Sequence, residues 1–285
     1  MPVSIASTWQ ERAASCISRW ALTDLQWLPH ESVARVAFCQ SPFGSVALKV
    51  NLEQGIVTNE ARMLAYLGPE LCPLVYATAE DLDSLLIERL DTVGDLAAIY
   101  PNAREEIGAW LPFFRAVEAK TSGEAGFPTL AKFAEVFDRM LARQLRPEIG
   151  RIMRDARNRQ GILMGAAGEN RLLHGDMHHF NILRESSGRW RLIDPHGVIG
   201  HPHYELGAFL RNPWGACYTE PGVKERLAER ILLLSEKLDL PASRVAEYGS
   251  YGAAFSVAWS IEEDGEDFDG MIVMSEAFLE LMVSL

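Results

Sequence analysis

Three oxygen-bearing side chains, Asp176, Asn181 and Asp194, follow one another at intervals of five and then thirteen residues. They lie in LLHGDMHHFNILRESSGRWRLIDPHG, where the apolar runs LLH and WRLID flank the polar stretches HGDMHHFN and ESSG. That alternation reads as strand, loop, strand, with Asp176 and Asn181 on the loop and Asp194 at the end of the following strand. These are the residue types that magnesium-assisted phosphoryl transfer requires. One carboxylate orients an attacking hydroxyl and takes its proton, while an amide oxygen and a second carboxylate hold Mg²⁺ against nucleotide phosphates. Magnesium favours oxygen ligands, which fits Asn181 with Asp194 better than the neighbouring histidines.

The elements that must position these residues change character near residue 90. Before it, Val33 to Phe38 and Ser45 to Val50 are β-rich runs joined by CQSPFG, a hairpin signal. Thr58 to Leu67 then shows helical spacing and stops at Gly68-Pro69, and short strands are expected at Leu74 to Thr78 and Leu85 to Glu88. Beyond Asp91 the period is mostly helical. Phe133, Val136, Phe137, Met140, Leu141 and Leu145 form one apolar stripe, and helices are expected over Ala103 to Ala119, Pro202 to Leu210, Val223 to Leu238, Ser243 to Ser260 and Gly270 to Val283. The division predicts a lobe over residues 1–90 and a second over 91–285.

The segment His174-Gly175-Asp176-Met177-His178-His179-Phe180-Asn181, followed by Ile193-Asp194-Pro195, resembles the HGDxHxxN and IDP signatures of the aminoglycoside phosphotransferase family. More narrowly, HGDMHHFNIL, IDPHG, LRNPWG and AWSIEEDG are similar to the branch holding streptomycin 6-phosphotransferases and hydroxyurea phosphotransferases. The resemblance runs along roughly the whole chain, with its strong motifs between Leu172 and Gly215. It implies an α+β, two-lobe protein-kinase-like fold, with a small β-rich N-lobe for the nucleotide and a larger helical C-lobe for catalysis and the acceptor. ATP and Mg²⁺ follow as cofactors, Asp176 as the catalytic carboxylate, and Asn181 and Asp194 as the metal ligands.

The same resemblance assigns residues upstream. Lys49 in Val46-Ala47-Leu48-Lys49 would contact phosphates and be held by Glu60 on the next helix. A charge in so apolar a strand needs a partner, so a structural ion pair and a phosphate-binding one predict the same contact. Leu85 to Leu90 matches the hinge between lobes, where adenine would meet backbone groups of Glu88 and Leu90. His30 to Ala34 carries no glycine, so any phosphate-covering hairpin there is not of the GxGxxG type; Ser32 is its expected tip. Tyr204-Glu205-Leu206 stands where the family usually has an aspartate that anchors the catalytic loop, and Glu205 is longer by one methylene. His178 is expected either to orient phosphate or to serve as scaffold, and Trp214 either to wall the acceptor pocket or to cap a helix end. A competing zinc hydrolase would use His174, Asp176, His178, His196 and His201 or His203, but it leaves Lys49, Glu60 and Asn181 without a role.

Charge narrows the acceptor. With 27 Lys and Arg against 39 Asp and Glu, the net charge of −12 disfavours nucleic acid and anionic membrane as partners. After Arg244 there is no basic residue, while nine acidic ones follow. Such a run is either a solvated face or, since the family binds polycations through carboxylates in this part of the chain, a cationic acceptor's binding surface. Glu262, Glu263, Asp264 and Asp267 are its candidates. A small cationic aminoglycoside is thus the leading acceptor; hydroxyurea, an amino alcohol or a sugar is the alternative, and a nucleotide-binding protein without catalysis a further one. No run of about eighteen apolar residues exists, and the scattered Cys16, Cys39, Cys72 and Cys217 form no CxxC pair, so a reducing cytoplasm is expected.

Overall fold

The computed structural model describes residues 8–29, 34–53, 55–99, 102–120, 126–163, 170–213, 222–262 and 269–285. In chain order the elements are α1 (Trp9–Arg19), β1 (Thr23–Trp27), β2 (Ala34–Ser41), β3 (Gly44–Asn51), α2 (Val57–Leu67), β4 (Val75–Ala79), β5 (Ser84–Glu88), β6 (Thr92–Asp95), α3 (Leu96–Ile99) and α4 (Ala103–Ala119). Next come α5 (Leu130–Phe133), α6 (Glu135–Leu141), α7 (Pro147–Leu163), β7 (Arg171–Leu173), β8 (Ile182–Glu185), β9 (Trp190–Leu192), β10 (Val198–Gly200), α8 (Glu205–Leu210), α9 (Val223–Leu238), α10 (Ala242–Glu262) and α11 (Asp269–Ser284). The chain folds as two compact units, one made of residues 1–93 with 183–196 and the other of 94–182 with 197–285.

The first unit is built on an antiparallel sheet in the order β1-β2-β3-β5-β4. Side chains alternate across β3: Val46, Leu48 and Val50 join Ala13 and Cys16 of α1 and Leu86 of β5 in one apolar cluster. Fully burying a side chain of this size is worth about 1.5–3 kcal/mol, so that face binds α1 to the sheet. The opposite pleat carries Lys49, directly across from Val36 and Leu85 in register. A capping box of Thr8 and Glu11 starts α1, and Gly68 at φ 84° ends α2 where Gly-Pro marks a stop.

Among its described residues the second unit is helical apart from the β7–β10 pair and the ends of β6 and β8. Its centre is α10, apolar around most of its circumference, with Tyr251, Ala254, Phe255 and Ala258 all buried. Gly207 of α8 and Gly252 of α10 let the two backbones touch: a Cβ at residue 252 would stand 2.6 Å from the Gly207 carbonyl carbon. The stripe from Phe133 to Leu145 is not one helix. It is divided into α5 and α6, and Leu145 lies in the connection that precedes α7. Pro147 opens α7, and a proline disfavours helical backbone in the residue before it.

Candidate active site

In the first unit Lys49 is 7% exposed, and its ammonium donates to Glu60 Oε1 and Asp194 Oδ1, both at 2.8 Å. Burial pulls the lysine down, but the carboxylates of Asp194 and Glu60 outweigh it and hold the pKa above its ordinary value. Lys49 therefore stays cationic at neutral pH. Asp194 follows β9 with a left-handed backbone, φ 55°, and its carboxylate is half exposed. Asp tolerates that conformation better than bulkier residues, and it turns the chain sharply at the strand's end. Glu88 ends β5; its N–H donates to Leu74 O, and its carboxylate pairs at 2.8 Å with Arg191, a fully buried side chain of β9. Arg191 also meets Glu185 at 3.2 Å and donates to Cys72 O, tying β9, which leads into Asp194, to the end of β5. Leu90 is buried.

In the second unit, residues 174–181 form a tight loop after β7. Gly175 takes φ 87°, a conformation suited to glycine. The carboxylate of Glu205, at the start of α8, accepts the N–H groups of Gly175 at 2.9 Å and Met177 at 3.4 Å. The longer glutamate thus still grips the loop backbone. Burial raises its pKa to about 7, against the lowering effect of those two donors. From the other side, Trp110 Nε1–H of α4 donates to Met177 O at 3.0 Å. Asp176 is pinned at both oxygens: Arg211 Nη2 reaches Oδ1 at 2.5 Å, and His178 Nε2 lies 3.2 Å from Oδ2. Arg211 is itself aimed by Ser256 Oγ of α10 at 2.7 Å. The Asn181 amide nitrogen donates to Asp176 O at 2.9 Å, which leaves its carbonyl oxygen as the atom to offer a ligand. The Asn181 amide oxygen in this unit and the half-exposed Asp194 carboxylate in the other are each a hard oxygen donor of the kind that suits Mg²⁺.

The histidines are engaged otherwise than a zinc site requires. His174 is buried, with Nδ1 accepting the Asp176 N–H at 3.3 Å. His179 is buried and stacked on Phe209, with ring centroids 4.6 Å apart. His201 caps a 3-10 turn by accepting the His203 N–H. Among the described residues no group of three His, Cys, Asp or Glu is arranged to hold a metal ion.

Of the acidic tail, Glu247, Glu262, Asp269, Glu276 and Glu280 each pair with a base: Arg159, Arg139, Arg146, Arg151 and Lys224 respectively. A tail with no bases of its own thus acquires them from other elements, which periodicity along the tail does not reveal. Ser32, Trp214, Glu263, Asp264 and Asp267 lie outside the described residues. Sequence reasoning missed Arg211 as the partner of Asp176 and Ser256 as the residue that aims it; Arg211 reads only as a helix end, and nothing in its neighbourhood points to a residue 45 positions away.

Residues 45–265 match the family model described as aminoglycoside/hydroxyurea antibiotic resistance kinase. The chain belongs to this family. It is similar to the streptomycin 6-kinase of Streptomyces glaucescens, 29% identical over 190 residues, or 65% of this chain and 61% of that one. With the streptomycin 6-kinase of Streptomyces griseus it shares 25% identity over 257 residues, 88% of this chain and 82% of the relative. Among solved structures it resembles a thermostable mutant of an aminoglycoside phosphotransferase in ternary complex with AMP-PNP and hygromycin B (TM-score 0.70, 16% identity, 95% of this chain and 97% of that one). A choline kinase from Streptococcus pneumoniae gives a TM-score of 0.65 at 16% identity, covering 97% and 99%. At such identities the structural likeness establishes the fold: the expected α+β protein-kinase-like architecture, β-rich in its N-terminal part and helical in its C-terminal part.

Proposed function

We propose that this family member transfers the γ-phosphoryl group of ATP to a hydroxyl of a streptomycin-like aminoglycoside. The observation that carries the reading is Asp176, aimed by Arg211 and His178 on a loop whose backbone Glu205 and Trp110 hold in place. In this reading the acceptor O–H gives its proton to the Asp176 carboxylate as its oxygen attacks the γ-phosphorus, and the bond from phosphorus to the bridging oxygen breaks to release ADP. Lys49, kept cationic by Asp194 and Glu60, steadies the phosphates. Asn181 and Asp194 would hold Mg²⁺, which would supply charge neutralisation at the phosphates. The backbone carbonyl of Glu88 remains for adenine, since its N–H is spent on Leu74. Among the described residues no helix is long and apolar enough to cross a membrane, and the use of ATP supports a cytoplasmic enzyme.

The streptomycin 6-kinase relatives favour streptomycin as the acceptor, and the family description makes hydroxyurea the competitor. The test is Mg²⁺-dependent ADP release with streptomycin, a deoxystreptamine aminoglycoside, hydroxyurea or no acceptor. Release with streptomycin alone is expected, falling by roughly 10²–10⁴ in Asp176→Ala while ATP binding persists. Asp194→Ala is expected to weaken MgATP binding as well. Undiminished turnover in Asp176→Ala would refute the assignment.

A further inference from the structure

We infer that Arg230 is a positioning residue for Asp176, acting along two buried routes that converge on its guanidinium. One route enters the catalytic loop. Arg230 Nη2 donates to Glu106 Oε2 at 2.5 Å, and the same oxygen lies 3.4 Å from Nε2 of His179, which sits between Asp176 and Asn181. The other route runs behind the loop. Arg230 Nη1 donates at 2.5 Å to the carbonyl oxygen of Asn212, the neighbour of Arg211, whose own guanidinium grips Asp176.

Each link has a physical reason to be rigid. Glu106, Arg230 and Asn212 are all buried, and a buried charge deprived of its partner is costly, so the three hold one arrangement. His179 is fully buried against Phe209, with Nδ1 unpartnered among the described residues, so Nε2 is its polar attachment. The Glu106 carboxylate accepts here, so Nε2 of His179 carries the hydrogen and donates to it. Glu106 and Trp110 stand one helical turn apart on α4, so a single helix face holds the loop at Met177 and at His179. A shift of Arg230 therefore moves the loop and the Arg211 clamp together, and misplacing a reacting group by about 1 Å costs on the order of 10²-fold in rate. The routes lie wholly within the second unit, so the nucleotide-binding residues of the first are untouched.

This inference rests on Asp176 being the base. Arg230→Ala is expected to lower kcat by roughly 10- to 100-fold with the KM for ATP within about twofold of wild type. The cavity beside the pair, about 310 Å³ and lined by Glu106, Arg230, Asn102, Leu210 and Leu227, offers room for an exogenous cation. Added methylguanidinium is accordingly expected to restore part of kcat in Arg230→Ala and none in Asp176→Asn. Should Arg230→Ala fail to fold, Glu106→Gln, nearly the same in volume, is measured instead, with the same selective fall in kcat expected. A kcat close to wild type in the variant measured, a fall shared in proportion by ATP affinity, or an Arg230→Ala enzyme that methylguanidinium does not restore would overturn the role. Turnover surviving in Asp176→Asn refutes the base itself; an inert Asp176→Asn beside a fully active Arg230 variant refutes only the role of Arg230.

Discussion

Glu205 holds the Asp176 loop at a thermodynamic cost that pH controls. Its carboxyl is wholly buried and titrates at about 7 in the folded chain, against the ordinary 4.5 when unfolded. A raised acid contributes most to stability below the unfolded value, and that contribution drains away as pH rises through the folded one. Unfolding measured against pH should therefore show wild type losing about 3 kcal/mol relative to Glu205→Gln between pH 4.5 and 7, then no more. A difference independent of pH would contradict the assignment. Lys49 poses the converse problem. Replacing it with Met leaves Glu60 buried without its cation, so urea denaturation should report roughly 3–5 kcal/mol of lost stability. The Lys49–Glu60 pair was legible through the family resemblance, which sets a glutamate of the next helix against the strand's lysine; the apolar strand by itself says only that the cation needs some partner. Arg211, Ser256 and Arg230 were not, because each acts across long sequence separations fixed only by where α8 and α10 pack.

Helix α8 carries the loop anchor Glu205 at its start, and Arg211 follows directly after its end, so its seat against α10 sets both ends of the grip. That seat is the glycine contact. Gly252→Ala forces its Cβ against the backbone of Gly207, and overpacking of this kind costs about 1–3 kcal/mol. Thermal unfolding should show that loss together with reduced turnover, since Arg211 is carried away from Ser256; a variant destabilised but fully active would mean the clamp tolerates helix movement. Elements with strong periodicity and clear stops, such as α4 and α9, were legible nearly to the residue. The break between α5 and α6 was not, because Ala134, the one residue between them, stays in the right-handed helical region at φ −66° and ψ −11°, so the apolar stripe keeps its spacing. Helix α1 also had a readable signal, the capping box of Thr8 and Glu11 together with Trp9, Ala13, Cys16 and Ile17 at helical spacing, and sequence reasoning missed it.

Across the whole chain, the charge of −12 acts beyond any single contact. A polycationic acceptor is drawn in by this field, and screening lengths fall from about 30 Å at 0.01 M salt to about 8 Å at 0.15 M. The kcat/KM for streptomycin should drop several-fold over that range while that for a neutral acceptor such as hydroxyurea stays level; equal salt dependence for both would remove long-range capture from the account. The first unit is also discontinuous, closed by residues 183–196 arriving late in the chain. At roughly 5–20 residues per second, residues 1–93 wait about 5–20 s on the ribosome before Arg191 and Asp194 emerge to meet Glu88 and Lys49. Throughout that interval the five-stranded sheet is already synthesised while Glu88 and Lys49 still lack their late partners, so a truncated product ending at residue 93 should be less stable than the same unit within the full chain.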